Sequence, residues 1–487
     1  MLGVDIGTSS LKTALFDTDG KPVASAYFDY TVDYPKQGWA EQNPDKWWEA
    51  ACCAIKQMLE TQSIDPSRVC GLGLAGQSWS AIAVDKEGRA LCPTPIWMDT
   101  RASGECAELK QKIGKNAIFD LCGNPMQPSY TLPKIIWYKK NLPEVFNNTW
   151  KILQSNSYIA YKMTGVFSQD ISQSYGLHLF DMKKGIWDAD MARSMGISLS
   201  LLPDIVPCHE IIGSITAYAA KQTGLKEGTP VVAGGLDAAC GTLGAGVVNN
   251  GQTQEQGGQA GGMSICMDEC KSHPKLILSF HVAPGKWLLQ GGTVGGAGAM
   301  KWLKDNVLSD LSYKMMDELA LSVNPGSDGL VFLPYMSGER SPIWNPKAKG
   351  VLYGLDYAKS KNHIIRAVME GTAYSLRHNL DAANESGAYV TEMNAMGGAA
   401  NSSIWMQIKA DITQKTINTV PADTATTMGA AILAGMGIGV WRSFEEAVNT
   451  TIKITGTYKP NPNNIEVYEK RYNEYLKLYE NLVDMMV

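Results

Sequence analysis

Apolar runs open the chain at Leu2 to Ile6, Leu11 to Asp17 and Pro22 to Tyr30, divided by Gly7-Thr8-Ser9-Ser10 and by Asp17-Thr18-Asp19-Gly20-Lys21. The runs are rich in β-forming residues and the separators carry hairpin turn chemistry, so the pattern predicts an antiparallel meander. Asn43-Pro44-Asp45 then supplies a cap followed by proline at a first helical position, and Trp48, Ala51, Ile55, Met58 and Leu59 recur at helical spacing. Val69 to Ala75 and Ala81 to Val84 read as strands, Asp85-Lys86-Glu87-Gly88 as the next turn, and segments from Pro133 to Tyr161 as helical. This first portion is mixed α/β.

Farther along, Pro230 to Ala233 reads as a strand running into Gly234-Gly235, and the small residues from Ala238 to Gly246 form a tightly packed helix. Met263 to Met267, Leu276 to Val282 and Trp287 to Gln290 read as strands, and Ile364 to Ala383 and Tyr468 to Met486 as helices. The second portion repeats the first in outline, strands, a glycine turn, then helices. This predicts two domains of similar topology, residues 1–246 and 247–487, with the boundary near Val247 to Gly251. A chain of 487 residues is too long for a single core, so a cleft between domains is expected.

Composition narrows the partners. A net charge of −5 and a pI near 5.8 give no polycationic stripe for nucleic acid or anionic lipid. The 48 glycines fall in clusters, which points to backbone-lined sites. Ten cysteines have neither disulfide-framework nor zinc-site spacing, and the close pair Cys266 and Cys270 lacks a second pair nearby, so all are read as reduced. The first residues already read as a strand and no run reaches the ~18 apolar residues of a membrane span, so a cytoplasmic protein is expected.

Several short segments carry chemistry. A glycine turn followed by small hydroxyl residues presents backbone N–H groups to a phosphate, and Asp5-Ile6-Gly7-Thr8-Ser9-Ser10 fits: Asp5 is positioned to hold Mg²⁺ through water while Gly7, Thr8, Ser9 and Lys12 meet phosphates. Asp237, after a buried strand and two glycines, is the candidate base that takes a proton from a sugar hydroxyl, and it also suits a helix cap. It is expected to face the N-terminal hairpin across a crevice. Trp97-Met98-Asp99-Thr100-Arg101 joins a flat apolar surface to an acceptor and a fork of donors, as a sugar pocket requires, and Gln77-Ser78-Trp79 is a second candidate for sugar contacts. Gly71-Leu72-Gly73-Leu74-Ala75-Gly76 matches a dinucleotide fingerprint by letter, but its glycines lie within a strand rather than at a strand-to-helix turn.

Taken together these segments resemble the FGGY carbohydrate kinases, and within them look most like the xylulokinase branch. The likeness spans nearly the whole chain. It is carried by Asp5 to Lys12, Trp39 to Pro44, Ala75-Gly76-Gln77, Trp97 to Arg101, Gly234 to Asp237, Phe332 to Pro342, Arg366 to Gly371, Gly397-Gly398-Ala399-Ala400-Asn401 and Met428 to Ala431. The resemblance implies two actin-like (ribonuclease H-like) α/β domains flanking a deep catalytic cleft. It also implies ATP and Mg²⁺ as cofactors, a small sugar as substrate and a homodimer. By position, Asp237 matches the family's catalytic base, Asp5 its metal-side acid, and Asp99 and Arg101 its sugar-pocket residues. Gly397, Gly398 and Asn401 match its adenosine loop, while Gly296 and Lys301 fall in the segment flanking the nucleotide.

Two departures stand out. The family's xylulokinases show Gln-Met-His where this chain has Gln77-Ser78-Trp79, an indole that only donates in place of an imidazole. The second phosphate turn, Gly-Thr-Ser in the family, here reads Gly258-Gln259-Ala260-Gly261, keeping the amides and losing the hydroxyls. The expected reaction is phosphorylation of a small sugar, foremost a ketopentose such as xylulose. Another polyol, a hexulose or an aldonate is the alternative acceptor, and a non-catalytic sugar or nucleotide sensor or an actin-like ATPase the alternative class.

Overall fold

The protein is described by a computed structural model over residues 1–421 and 424–486. Strands β1 (Leu2–Ile6), β2 (Ser10–Phe16) and β3 (Pro22–Asp29) form the expected meander. Helix α1 (Pro44–Thr61) follows, its Asn43 side chain accepting from the Asp45 N–H and its apolar face packed on β2 and β3. Strand β4 (Leu72–Gly76) runs parallel to β1, and β5 (Ile211–Ser214), β6 (Pro230–Val232) and β7 (Gly235–Leu236) complete the sheet. Its order is β5-β6-β4-β1-β2-β3, with β7 continuing alongside β4. Helix α2 (Asp237–Gly244) leaves the end of β7.

The second sheet contains β8 (Gln252–Gly257), β9 (Gly261–Met267), β10 (Ile277–Phe280), β11 (Trp287–Thr293), β12 (Glu392–Met396), β13 (Thr416–Thr419) and β14 (Gly456–Tyr458). Its order, β10-β11-β9-β8-β12-β13-β14, repeats the first strand for strand and direction for direction. The hairpin β8–β9 matches β1–β2, the parallel pair β8–β12 matches β1–β4, and β13 with antiparallel β14 matches β6 with β5. The outline repeat seen in the sequence is therefore a duplication of topology, with β10 added at one edge. Helices α3 (Ala297–Asn306), α4 (Lys361–Glu385), α5 (Ala425–Gly437) and α6 (Ile465–Leu482) complete the second half.

From Pro133 to Tyr161 the chain is helical in segments, as expected, with the short strand Lys151–Leu153 between them pairing with Ile82–Val84.

The halves interlock through glycine. Helix α5, late in the chain, lies on β1, β4 and β6 of the first sheet and against α2. A Cβ at Gly3 would sit 1.9 Å from the Thr427 carbonyl oxygen, one at Gly73 1.9 Å from that of Ala430, and one at Gly429 1.9 Å from that of Cys240. The glycines of the apparent fingerprint thus have a use unrelated to dinucleotides: Gly73 lets a helix backbone approach a strand directly. The apolar interior runs without a break from first-half residues such as Trp79 and Leu236 to second-half residues such as Met263 and Ala430. Among the described residues no helix is long and apolar enough to cross a membrane.

Gly73→Ala is expected to cost at least about 2 kcal/mol in urea unfolding, since neither the carbonyl nor the strand can retreat. Gly104, in helix Ser103–Ile113 with nothing within 4 Å of an added Cβ, is the control. Its alanine variant is expected to hold or gain about 0.5–1 kcal/mol.

Candidate functional site

Parallel register assembles the site. Asp5 pairs with Ala75 and Ala75 with Gly235, so β1, β4 and β7 end together and deliver Gly7, Gln77 and Asp237 to one edge of the first sheet. Ligands of open α/β sheets bind beyond such carboxyl ends. Asp237 is thus two strands along the same edge from the N-terminal hairpin, and the wall across the crevice comes from the second half. Between them lies a cavity of about 350 Å³ lined by Thr8, Ser78, Trp79 and Asp237 on one side and Gln256 and Arg340 on the other.

The first glycine turn is held by its carbonyls. Gly7 O accepts from the Tyr30 hydroxyl at 2.6 Å and from Gln77 Nε2 at 3.3 Å, Thr8 O from Gln42 Nε2 at 2.8 Å, and Ser9 O from Tyr30 N at 3.0 Å. Among the described residues no acceptor takes the Thr8 or Ser9 amide. The second turn follows the same logic: Gly258 O accepts from Ala297 N at 2.9 Å and Gln259 O from Gly298 N at 3.0 Å, while among the described residues the amides of Gly258, Gln259 and Ala260 have no protein acceptor. These carbonyls satisfy the first N–H groups of α3. Two turns whose acceptors are occupied and whose donors are free present the hydrogen-bonding pattern that suits an anion.

Two carboxylates stand between them. Asp237 occupies the first turn of α2, its Oδ1 accepting from Ala238 N at 2.6 Å, and loss of hydration in the crevice pushes its pKa up to about 6. Asp5 is pushed up to about 7, first by burial and then by the nearby Asp237 charge, with Lys12 pulling the other way. Its Oδ1 is buried with no protein partner. A cation between such oxygens would relieve both the burial and the mutual repulsion.

The other expected residues separate into three groups. Ser78 and Trp79 line the cavity. Trp79 holds a left-handed backbone (φ 61°) and its ring stacks on Tyr130 with centroids 4.1 Å apart, but its indole N–H is turned into the protein, so it offers a flat wall rather than a donor. Gln77 is buried behind the turn, where it bridges Gly7 and Gln42 and accepts from Thr8 Oγ1. Gly398 and Asn401 form an open shelf after β12, and Gly397, at φ 90°, packs against Gly257 beside the second turn.

Three expected residues do not line the cavity. Asp99 and Arg101 are not brought to the cavity: Asp99 is fully buried, accepting from Ala40 N at 2.7 Å and from Arg101, which also pairs with Glu41 at 2.6 Å and lies over Trp39. Their hydrogen-bonding capacity is used to fix the loop that carries Trp97, whose Nε1 donates to Thr8 Oγ1 at 2.9 Å. Lys301 is exposed on α3 and paired with Asp305 on its own helix. Gly296 stands beside the second turn, where a Cβ would lie 2.3 Å from Gly261 N, and lines a small cavity with Gly257 and Gly261.

Other contributors escaped sequence reading. Lys134, buried in an apolar helix, donates to Trp79 O at 2.8 Å and Ile96 O at 2.7 Å, joining the loops that bear Trp79 and Trp97, and burial lowers its pKa to about 7. A lone lysine amid Pro133 to Trp137 carries no signal of that task. Lys409 and Glu255 pair at 2.6 Å beneath the second turn, both buried. Arg340 lies inside the motif Phe332 to Pro342 without a spacing that marks its role.

A duplicated two-lobed fold whose free-amide turns flank a carboxylate at a strand end defines a phosphotransferase cleft. Models of the FGGY family of carbohydrate kinases, N-terminal and C-terminal domains, match residues 1–244 and 265–438. The chain is 31% identical to the xylulose kinase of Escherichia coli (strain K12), covering 100% of this chain and 99% of that protein. It is 30% identical to that of Bacillus subtilis (strain 168), covering 100% and 97%. The crystal structure of xylulose kinase from Rhodospirillum rubrum superposes with a TM-score of 0.92 at 29% identity, covering 100% of this chain and 99% of that one. The chain belongs to the FGGY family of carbohydrate kinases and is a sugar kinase.

The raised carboxyls bear on stability. Between the ordinary aspartate value of 3.8 and the folded value of about 7, the folded protein keeps a proton on Asp5 that the unfolded chain releases. Stability is therefore fully present below the unfolded value and is lost as pH rises through the folded one. Asp5→Asn is expected to raise ligand-free stability at pH 8 by on the order of 2 kcal/mol and to change it little at pH 4. Urea midpoints that shift equally at both pH values would exclude Asp5 as the titrating group.

Proposed function

We propose that this protein transfers the terminal phosphoryl group of ATP to a hydroxyl of a small ketose, foremost a ketopentose such as xylulose. Asp237 accepts the hydroxyl proton. The observation that carries this reading is the placement of its carboxylate, poised to ionise near pH 6, in a cavity bounded by two turns with free amides. A base with that pKa is ionised at neutral pH yet not so stabilised that it refuses a proton. The amides of Thr8, Ser9 and Gly258 to Ala260 hold the phosphates, and the shelf at Gly398 and Asn401 takes the adenosine. The names of the full-length relatives support xylulose over other acceptors.

Asp5 fits a role beside Mg²⁺, because its unpartnered buried oxygen calls for a cation. Among the described residues no group of three ligating side chains surrounds it, so contact through water is the arrangement this donor set suits. When bound, the ion supplies neutralisation of phosphoryl charge. Asp5 orients it, Trp79 walls the sugar from solvent, and Lys134 fixes Trp79. The division into domains 1–246 and 247–487 belongs to this reading, with β7 ending at Leu236 and β8 beginning at Gln252. So do a cytoplasmic location and a homodimer.

The test is ADP release with Mg-ATP and a panel of pentuloses, hexuloses, polyols and aldonates. Asp237→Asn is expected to lower kcat about a thousandfold on the preferred acceptor while ATP binding by calorimetry is kept. An Asp237→Asn variant retaining more than about a tenth of wild-type kcat would remove Asp237 as the base.

A further inference from the structure

Arg340 is the cationic side chain that lines the cleft cavity, and its neighbours are arranged so that its guanidinium stays unpaired. Glu339 commits its carboxylate elsewhere: Oε2 accepts from Thr293 Oγ1 at 2.6 Å, and Oε1 from Val294 N at 2.9 Å and from the backbone N–H of Arg340 at 2.7 Å. Ser341 Oγ accepts from Gly292 N at 2.6 Å and donates to Gly292 O at 3.1 Å. Both flanking residues thus clamp the Arg340 backbone to the end of β11. The guanidinium then lies against Gly292, where an added Cβ would fall 3.2 Å from Nη1, so the glycine makes room for it.

Among the described residues no carboxylate lies within 4 Å of this guanidinium and no acceptor takes its N–H groups, although Asp237 lines the same cavity. Burial disfavours its charge. Leaving five donors and a full charge unpaired in a half-enclosed space is costly, and a neutral polyol offsets only the hydrogen bonds. A planar fork is matched by two oxygens of one anion. The Gly261 and Gly262 end of the second phosphate turn lines the same cavity, as does the acceptor side bearing Ser78.

We propose that Arg340 binds a pair of anionic oxygens in the cleft, either the carboxylate of a sugar-acid acceptor or the terminal phosphoryl group of the nucleotide. The proposal rests on the sugar-kinase reading above and adds to it a binding residue. The test compares wild type, Arg340→Lys and Arg340→Met with Mg-ATP and either a ketopentose or an aldonate, reading kcat and KM separately. A carboxylate partner predicts that Arg340→Met raises KM for the aldonate roughly ten- to a hundredfold and leaves the ketopentose unchanged. A phosphoryl partner predicts a kcat at least about a hundredfold lower on both.

Changes under about threefold in every parameter would overturn the proposal. Should Arg340→Met fail to give a cooperative melt, Arg340→Lys keeps charge and stem but loses the fork, and at least about a tenfold loss is expected; no loss would overturn it equally. Calorimetry of ATP and of aldonate binding to wild type and Arg340→Met needs no turnover. A wild type that phosphorylates nothing yet loses anion affinity on Arg340→Met fails the kinase reading and keeps the Arg340 assignment.

Discussion

The structure depends on one steric condition, the absence of side chains where helix α5 crosses the first sheet. Its carbonyls at Thr427 and Ala430 approach the sheet so closely that β-carbons at Gly3 and Gly73 would overlap them, and Gly429 meets the Cys240 carbonyl in the same way. Such contacts bring backbone to backbone, a spacing that no repacking of side chains reproduces. Because α5 follows β13 of the second sheet, this junction sets where the second glycine turn stands relative to Asp237.

On that frame the site is built by occupying acceptors. Tyr30, Gln42 and Gln77 occupy the carbonyls of the first turn, and the start of α3 occupies those of the second. What remains is a set of amide donors, with Asp237 and the Arg340 guanidinium lining the cavity and Asp5 buried behind it, both carboxylates held above their usual pKa. A buried amide, carboxyl oxygen or guanidinium left without a protein partner costs stability until a ligand meets it. The departure at Gly258-Gln259-Ala260 is compatible with this design, since the turn works through main-chain groups that any sequence supplies.

Local chemistry was readable where it decides local form. The meander, the Asn43 cap, the strand into Gly235 and the periodic helices were legible because turn residues, capping side chains and apolar spacing act within a few residues of themselves. That Asp5, the Gly7 turn and Asp237 stand at strand ends was legible for a related reason: glycines beside an apolar run mark where a strand stops. Asp99 and Arg101 were misread because the same residue types make a sugar pocket or a buried brace, and burial alone separates the two.

The order of residues was sufficient for the duplication, for the strand-end turns and for the acid at position 237, since each is written in contiguous letters. Folding was needed for everything that depends on register or on where a side chain commits its hydrogen bonds. That Asp5 and Asp237 share one sheet edge, that Lys134 ties two loops, that Gly73 seats a helix and that Arg340 is left without a counterion among the described residues are relations between segments far apart in the chain. Pairing across such distances is fixed by packing and desolvation, which no local pattern of residues encodes.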